Sequence, residues 1–304
     1  MKGFIGNQRI IDLFTNLNKE DLSHAYLFYG KEGVGKKTFA KKLIQSLHCP
    51  NSKPLEPCGK CPNCLQIEKN SHADTMVLEG TDPLSIEMIR KMQHQINLKS
   101  QNHSLKTCLI DNAERMTSEA ANCLLKTLEE PPANSLFILV AAKPQLLPKT
   151  ILSRCQKIKF QSVPEQELKK ELAILYPQFN FNEIILNYTN GAPGQAIHFL
   201  EDADFVEIFN EQKTHFEKFL QGTITERFQL NNELSRLTLK EIRNLLEIWL
   251  FFTKNDLEKN CENSTIANKF KTLAEILLEI KQKTAYNLNR RVLLDQLALR
   301  SPRL

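Results

Sequence analysis

A stretch near the start of the chain, "LFYGKEGVGKKTFAKKL" at Leu27 to Leu43, constrains the fold more than any other segment. The apolar residues from Ala25 to Tyr29 predict a short buried strand, and the apolar spacing after Lys36 predicts an amphipathic helix. A glycine-rich loop joins the two. This order of strand, glycine loop and lysine-bearing helix is typical of a phosphate-binding loop in an α/β domain with a parallel sheet.

The loop carries the groups that proteins use to hold phosphate. Its glycines let backbone N–H groups converge on an anion, the helix N-terminus adds a partial positive charge, and the lysine reaches the terminal phosphates. The candidate nucleotide-contacting residues are Gly30, Gly33, Gly35, Lys36 and Thr38. The alternative is a glycine turn that only joins strand to helix, and the specific spacing of the glycines and the lysine argues against it.

The residue that follows this lysine departs from the pattern. A complete phosphate-binding loop has Ser or Thr there, because the hydroxyl is a ligand of Mg²⁺, whereas this chain has Lys37. Thr38 comes one residue late and is rotated by about 100° around the helix. We therefore expect magnesium binding to be weakened or lost, while the retained Lys36 leaves passive binding of a nucleotide or phosphate open.

A second motif, "TCLIDNAERM", predicts a strand over Thr107 to Ile110 that ends at Asp111. An aspartate at the end of such a strand, the Walker B position, holds the magnesium ion of P-loop ATPases. Ring-forming ATPases of the AAA+ class usually have Glu next, as the base that orients the attacking water. This chain has Asn112, and an amide does not accept a proton at neutral pH, so a second catalytic position has lost its chemistry.

Four of the eight cysteines form a dense run, C-x8-C-x2-C-x2-C. Gaps of two residues let neighbouring thiolates face one tetrahedral Zn²⁺, and the surrounding prolines and glycine make the segment a poor helix or strand. Since four sulfur ligands leave no open coordination position, we expect a structural zinc site. Its ligands are Cys49, Cys58, Cys61 and Cys64. His48 and His72 are alternative ligands, and free surface thiols are the remaining alternative.

The segment "ANCLLKTLEEPPANSLFILVAAKPQLLPKTILSRCQ", Ala121 to Gln156, closely resembles the replicative clamp loaders. With the cysteine run and "IDNAERM", the chain resembles the delta-prime family of subunits of the bacterial DNA polymerase III clamp loader. The resemblance is specific from about Ile5 to Gly194 and general beyond. It implies an AAA+ P-loop module with a parallel sheet, followed by a small helical lid and an all-α collar domain that joins five subunits into an open ring.

The resemblance and the helical periodicity after Val163 divide the chain of 304 residues into three parts. The first is an AAA+ RecA-like domain over 1–161, with a zinc-binding insertion at 49–64. A helical lid over 162–203 and a helical collar over 204–304 follow. Apolar stripes in the collar, such as Phe205, Ile208 and Phe209, favour intramolecular core over partner surface.

Within the clamp-loader segment, Ser153, Arg154 and Cys155 match the SRC motif of that family. The resemblance implies that Arg154 is an arginine finger, which projects into the ATP site of a neighbouring subunit. A guanidinium keeps its charge and its fork geometry, so it stabilises γ-phosphate charge only when the subunit interface is closed. The alternative is an arginine in a surface ion pair.

Four positions differ from those of an active family member. They are Lys37 at the magnesium hydroxyl, Asn112 at the catalytic acid, Ala142 at the end of the sensor strand and Gln195 at the lid arginine. Their joint loss beside a retained Arg154 predicts a subunit that acts in trans and does not hydrolyse ATP in its own cleft.

The function that the resemblance implies is a non-catalytic stator of the clamp loader. Such a subunit helps to load the sliding clamp onto primed DNA, as part of the DNA polymerase III holoenzyme. The implied partners are the gamma/tau ATPase subunits and the delta subunit, with the sliding clamp and primer-template DNA met through the assembled complex. Contact with DNA is expected through backbone phosphates and not through base reading.

Two other interpretations stay open. One is an active clamp-loader-type ATPase in which Thr38 or Asp111 compensates for the substitutions, and the other is a zinc-ribbon nucleic-acid adaptor on an AAA+ frame. A net charge of +5, from 40 basic and 35 acidic residues, does not decide whether nucleic acid is bound. Without a signal-peptide pattern or an apolar run of about 20 residues, the expected location is the cytoplasm, away from membranes.

Overall fold

The computed structural model describes residues 4–79, 83–98, 105–177, 183–284, 286 and 288–303. Contacts divide the chain into two compact units, Met1–His198 and Phe199–Leu304. The three-part division expected from the sequence stays a prediction.

The first unit contains a five-stranded sheet with helices on both faces. Its elements are α1 (Gln8–Asn16), β1 (Ala25–Tyr29), α2 (Lys36–His48), α3 (Pro62–Glu68), β2 (Thr75–Leu78), α4 (Ile86–Asn97), β3 (Lys106–Ile110), α5 (Ser118–Glu129), β4 (Ser135–Ala141), α6 (Lys149–Arg154), β5 (Gln156–Lys159), α7 (Glu165–Leu175), α8 (Glu183–Thr189) and the first part of α9 (Pro193–Glu201). Single turns of 3₁₀ helix lie at Lys19–Asp21, Ala113–Arg115 and Pro144–Leu146.

All strands of this sheet run parallel, in the order β2-β3-β4-β1-β5. The predicted strand at Ala25–Tyr29 is β1, and the predicted helix from Lys36 is α2, so the α/β prediction is confirmed. Because parallel strands end at the same edge of a sheet, the glycine loop after β1 lies beside the residues that follow β2, β3 and β4.

Both faces of the sheet are buried. Successive side chains of a strand point to opposite faces, so Tyr26 and Phe28 share one face and Leu27 faces the other. On the first face Phe28 packs at 5.7 Å, ring centre to ring centre, from Phe39 of α2. Helices α4, α5 and α6 supply apolar side chains to the other face. Burial on both faces explains why these strands are continuous apolar runs in the sequence.

The cysteine segment is more regular than its composition suggested. Pro62 begins helix α3, at the position where a missing N–H group costs nothing. Cys61 caps that helix, since its sulfur accepts a hydrogen bond from the N–H of Cys64 at 3.5 Å. The expectation of a segment without helix is therefore wrong after Pro62.

The described residues of the second unit form helices joined by short turns and loops. Its helices are α10 (Ala203–Gln221), α11 (Ile224–Leu234), α12 (Leu239–Lys259), α13 (Ser264–Lys283) and α14 (Arg290–Arg300). Trp249 is fully buried at the centre of this unit, against the rings of Phe216 and Phe219. Most of the predicted apolar stripes are buried, but Ile208 is 47% exposed, so its assignment to the core is wrong.

A membrane-crossing helix, long and apolar enough for a bilayer, is not found among the described residues. The cytoplasmic location stays a prediction.

Candidate functional site around the phosphate loop

The phosphate loop folds as a glycine-dependent turn between β1 and α2. Gly30 has φ of 146°, and a Cβ atom there would lie 2.2 Å from the backbone oxygen of Phe160. Gly33 has φ of 79°, in the left-handed region that favours glycine. Gly35, with φ of 92°, leads directly into α2. The loop therefore keeps the backbone that a phosphate-binding turn requires.

The lysine of the loop turns back into the loop. The Lys36 side chain is buried, and its Nζ donates hydrogen bonds of 2.7 Å to the carbonyl oxygens of Gly30 and Lys31. Burial lowers the pKa of Lys36, and the negative charges of Glu114, Glu32 and Asp111 oppose that effect. The ammonium is thus bound by the loop's own carbonyl groups.

Lys37 makes the contact that most changes the chemistry of the cleft. Its Nζ lies 3.1 Å from Oδ2 of Asp111 and also forms an ion pair with Oε2 of Glu79. Asn70 supports this arrangement by donating a hydrogen bond of 2.7 Å to the other Glu79 oxygen. Burial lowers the pKa of Lys37, but its bonds to Glu79 and Asp111 outweigh burial and raise it overall. The same bond to Lys37 holds the pKa of Glu79 below its usual range.

Sequence reasoning did not find Glu79. It is the first residue after β2, and β2 pairs with β3, which ends just before Asp111. The N–H of Asp111 donates to the carbonyl of Leu78 at 2.9 Å, so the two strand ends lie side by side. The strand order was the missing signal, because neighbouring parallel strands bring their following residues together.

The cleft does not fit a magnesium-bound nucleotide. In P-loop ATPases the metal is held by a hydroxyl at the start of the helix and by the Walker B aspartate. Here that helix position supplies the ammonium of Lys37, which is already bound to the aspartate, Asp111. Thr38 is exposed on α2. Magnesium would have to displace a tethered cation to reach Asp111.

The residues after Asp111 connect the end of β3 to the end of β4. Asn112 has φ of 52° and begins the 3₁₀ turn that carries Glu114. The Oε1 atom of Glu114 accepts hydrogen bonds from the N–H groups of Ala142 at 2.8 Å and of Lys143 at 3.1 Å. This glutamate, which sequence reasoning also missed, therefore caps the end of β4.

The start of α9 lies directly on the phosphate loop. The N–H of Gly194 donates to the carbonyl of Gly33 at 2.8 Å. A Cβ atom on Gly33 would lie 2.8 Å from Cγ of Gln195 and 3.1 Å from Cβ of Ala192, so the two segments are in close contact. Gln195, where an active relative is expected to have an arginine, thus packs its aliphatic stem against the loop.

Arg154 is the last residue of α6 and lies on the surface, with 33% of its side chain exposed. Its guanidinium forms an ion pair of 2.5 Å with Glu129 at the end of α5. It also donates a hydrogen bond of 2.9 Å to the carbonyl of Thr150. These contacts orient the guanidinium while leaving part of it accessible. The surface ion pair that was the alternative to an arginine finger is therefore present.

The four cysteines of the dense run come together in the structure. Their sulfur atoms all lie within 4.8 Å of one another, and the Sγ atoms of Cys61 and Cys49 are 3.9 Å apart. Tetrahedral zinc with Zn–S bonds of about 2.3 Å places its sulfur ligands about 3.8 Å apart, so the donor set fits this metal. His48 and His72 instead hydrogen-bond to Thr107 and Thr75 on the sheet.

The sulfur atoms differ in their surroundings. Hydrogen bonds from the backbone N–H groups of Lys60 and Cys61 lower the pKa of Cys58 to about 6. Burial raises the pKa of Cys64 to about 12. A metal ion would stabilise the thiolate form of both, since zinc binds deprotonated sulfur.

Comparison with known proteins identifies the group to which the chain belongs. Residues 6–164 match the family described as "DNA polymerase III, delta subunit". The chain belongs to this family, within the AAA+ clamp loaders.

Individual relatives agree with that family. The chain is 33% identical to DNA polymerase III subunit delta' of Bacillus subtilis, over 69% of this chain and 66% of the relative. It is 35% identical to DNA polymerase III subunit tau/gamma of Haemophilus influenzae, over 58% of this chain and 26% of the relative. The chain therefore matches about two thirds or less of the length of these relatives.

A solved structure shares the fold. A DNA polymerase III gamma subunit-related protein of Thermotoga maritima superposes with a TM-score of 0.53 at 16% identity, covering 97% of this chain and 98% of that one. This likeness extends the fold assignment into the helical second unit.

Proposed function

We propose that the chain is a delta-prime-type subunit of the DNA polymerase III clamp loader that does not hydrolyse ATP in its own cleft. It works with gamma/tau ATPase subunits and a delta subunit to load the sliding clamp onto primed DNA in the cytoplasm. The observation that carries the non-catalytic part is the contact between Lys37 and Asp111, because it places a side-chain ammonium where an ATPase holds magnesium.

Other features of the cleft support the same proposal. Asn112 replaces the carboxylate that would orient the attacking water, and an amide is no base at neutral pH. The buried Lys36 is bound to loop carbonyls. Phosphoryl transfer depends on a bound metal ion, a base and a free loop lysine. In this chain Lys37 occupies the metal position, Asn112 replaces the base, and Lys36 is bound to the loop.

We further propose that Arg154 completes the ATP site of a neighbouring subunit. Its guanidinium is oriented by Glu129 and Thr150 and is partly exposed, so it can reach a second chain. An exposed ion pair such as this one contributes little to stability and exchanges readily for a phosphate group. The stator role follows, since such a subunit offers its arginine without cycling through nucleotide states itself.

The four cysteines, Cys49, Cys58, Cys61 and Cys64, would hold a structural Zn²⁺. When bound, the metal supplies a cross-link between the end of α2 and the start of α3. The protein already supports that joint: Asn63 donates a hydrogen bond of 2.8 Å to the carbonyl of His48. Gln45 of α2 donates to the carbonyl of Cys64 at 3.1 Å.

The test is ATP turnover by the purified chain and by the complex reconstituted with its partner subunits. We expect negligible hydrolysis by the chain alone. In the complex, Arg154→Ala should lower turnover at the site that receives the arginine by about a thousandfold or more, and clamp loading should fall with it.

Two variants make this test specific. Glu129→Gln removes the charged partner of Arg154 but keeps the guanidinium, so it should retain most of the activity. Arg9→Ala removes an exposed arginine of α1 and serves as the control. Normal clamp loading by Arg154→Ala would reject the trans role. Magnesium-dependent hydrolysis by the isolated chain that disappears in Lys36→Ala would support an active ATPase instead.

A further inference from the structure

Lys37 joins three parts of the first unit, two of which a magnesium ion joins in an ATPase. It belongs to α2, and its ammonium contacts Asp111 after β3 and Glu79 after β2. In an ATPase the magnesium ion bridges the helix that follows the phosphate loop and the Walker B strand. A lysine side chain makes the same bridge here, with the cation covalently attached to the helix.

We propose that Lys37 is a built-in cation that replaces the magnesium ion, and that the chain's own atoms hold the cleft in its bridged form without a nucleotide. The inference rests on the proposed function, a subunit whose own cleft does not turn over ATP. It adds that Lys37 is the residue that keeps the cleft bridged without a metal ion or a nucleotide.

Further contacts join the phosphate loop to the segment at the start of α9. The carbonyl of Gly33 accepts the N–H of Gly194, which ties the segment before and within α9 to the phosphate loop. Lys31 adds a hydrogen bond of 3.4 Å from its Nζ to the carbonyl of Asn190 in the same segment. These are direct protein contacts between the phosphate loop and the segment that leads into α9.

The local charges explain why the cation matters. Asp111 is only 13% exposed at its side chain, and Glu79 is 34% exposed. Two carboxylates this close repel each other unless a cation lies between them. Removing the ammonium would therefore leave the two carboxylates without a cation between them and open a site for a divalent cation. A hydroxyl at position 37 would add the missing ligand of a magnesium site.

The experiment compares magnesium and nucleotide binding in four proteins. Calorimetric titration with ATP, with and without Mg²⁺, is done on the full-length wild type, Lys37→Thr, Lys37→Arg and Lys170→Thr. Lys37→Thr restores the hydroxyl and frees the carboxylates, whereas Lys37→Arg keeps a cation between them. Lys170 is exposed on α7, so Lys170→Thr makes the same chemical change away from the cleft.

For the wild type, Lys37→Arg and Lys170→Thr, we expect either no ATP binding or an ATP affinity that magnesium changes by less than about twofold. Lys37→Thr should bind ATP at least about tenfold more tightly with magnesium than without it. Thermal melting gives a second measurement that needs no ATP: Lys37→Met should melt at a lower temperature than the wild type, and Lys37→Arg should not.

The inference is overturned if magnesium tightens ATP binding by the wild type about tenfold. It also fails if Lys37→Met melts at the same temperature as the wild type. Either result leaves the proposed function standing as long as the isolated chain shows no turnover and Arg154→Ala impairs the complex. Conversely, a Lys37→Thr variant that gains magnesium-dependent binding supports the inference even if Arg154→Ala has no effect.

Discussion

Arg227, in the second unit, is a buried arginine whose partners are backbone carbonyls. It is 2% exposed, and its guanidinium donates to Phe219 at 2.8 Å and to Ser301 at 2.9 Å. Weaker bonds reach Leu220 and Pro302, and the cation lies 4.8 Å from the centre of the Phe219 ring. One side chain thus donates hydrogen bonds to carbonyl groups both at the end of α10 and in the segment after α14.

Replacing Arg227 by Met should destabilise the second unit by about 3 kcal/mol, because buried carbonyl groups lose their donors. Urea denaturation followed by the fluorescence of Trp249 measures the change. The control is Arg300→Met, which removes an exposed arginine that pairs with Glu279. We expect little change from that variant, and an equal loss from both would contradict the assigned role of the buried group.

The ion pairs of Lys37 predict how its contribution to stability depends on pH. The pKa of Glu79 is lowered in the folded chain, so its contribution is present above the unfolded value of about 4.3 and is lost as pH falls through the folded pKa. The pKa of Lys37 is raised, so its contribution holds below about 10.4 and is lost above its folded pKa.

The difference in melting temperature between the wild type and Lys37→Met should therefore be constant from about pH 5 to pH 9 and shrink below about pH 4. Melting curves of both proteins over this range check the prediction. A difference that grows on acidification would show that Glu79 is not paired with Lys37 in solution.

At the scale of elements, the cysteine loop and α3 depend on the sulfur cluster. Pro62 and the sulfur of Cys61 begin α3, but the preceding segment has few regular backbone hydrogen bonds among its described residues. Such a loop is stabilised mainly by what cross-links it. A zinc ion at the four sulfurs would provide that cross-link.

We expect the purified chain to contain about one zinc per molecule, and Cys64→Ser to lose it. Mass spectrometry of the metal content gives the stoichiometry, and hydrogen exchange of residues 50–64 should speed up in the variant. Cys261→Ser, at an exposed cysteine of the second unit, is the matched control and should keep its zinc. Full zinc content in Cys64→Ser would exclude this ligand set.

At the scale of the whole molecule, the chain divides into two compact units, Met1–His198 and Phe199–Leu304. The single tryptophan, Trp249, is buried among aromatic rings of the second unit. Its fluorescence therefore reports the unfolding of that unit, whereas the sulfur cluster and the cleft belong to the first. Compact units of one chain often unfold in separate transitions.

Circular dichroism reports the helices of both units, so chelation of zinc should move the unfolding step of the first unit in that signal and leave the Trp249 transition in place. Arg227→Met should move the Trp249 transition and leave the unfolding step of the first unit in place, because the contacts of Arg227 lie in the second unit. Parallel urea titrations with both signals test this. A single coincident transition that shifts with either change would show that the chain unfolds as one cooperative body.

Local patterns were sufficient for several of the elements and for the motifs on them. The strand Ala25–Tyr29, the helix from Lys36 and the cluster of four sulfurs follow from apolar spacing, glycine position and cysteine spacing. These features depend on residues near one another in sequence, which is why reading the sequence recovers them.

The acidic partners were missed for the opposite reason. Glu79, Glu114 and Glu129 each meet their partner across the fold, at the ends of different strands or helices. Nothing in their immediate sequence marks them, because a glutamate at such a position is ordinarily a solvated surface residue. Their roles became visible only with the order of the strands.

The sequence by itself determined that this chain has a phosphate loop without its magnesium hydroxyl, a Walker B strand without its catalytic acid, and an arginine in a clamp-loader motif. Only the tertiary structure decided that Lys37 lies on Asp111 and Glu79, and that Gly194 binds the loop. The physical reason is that residue types fix which chemistry is lost, whereas the packing of parallel strands fixes which charges meet.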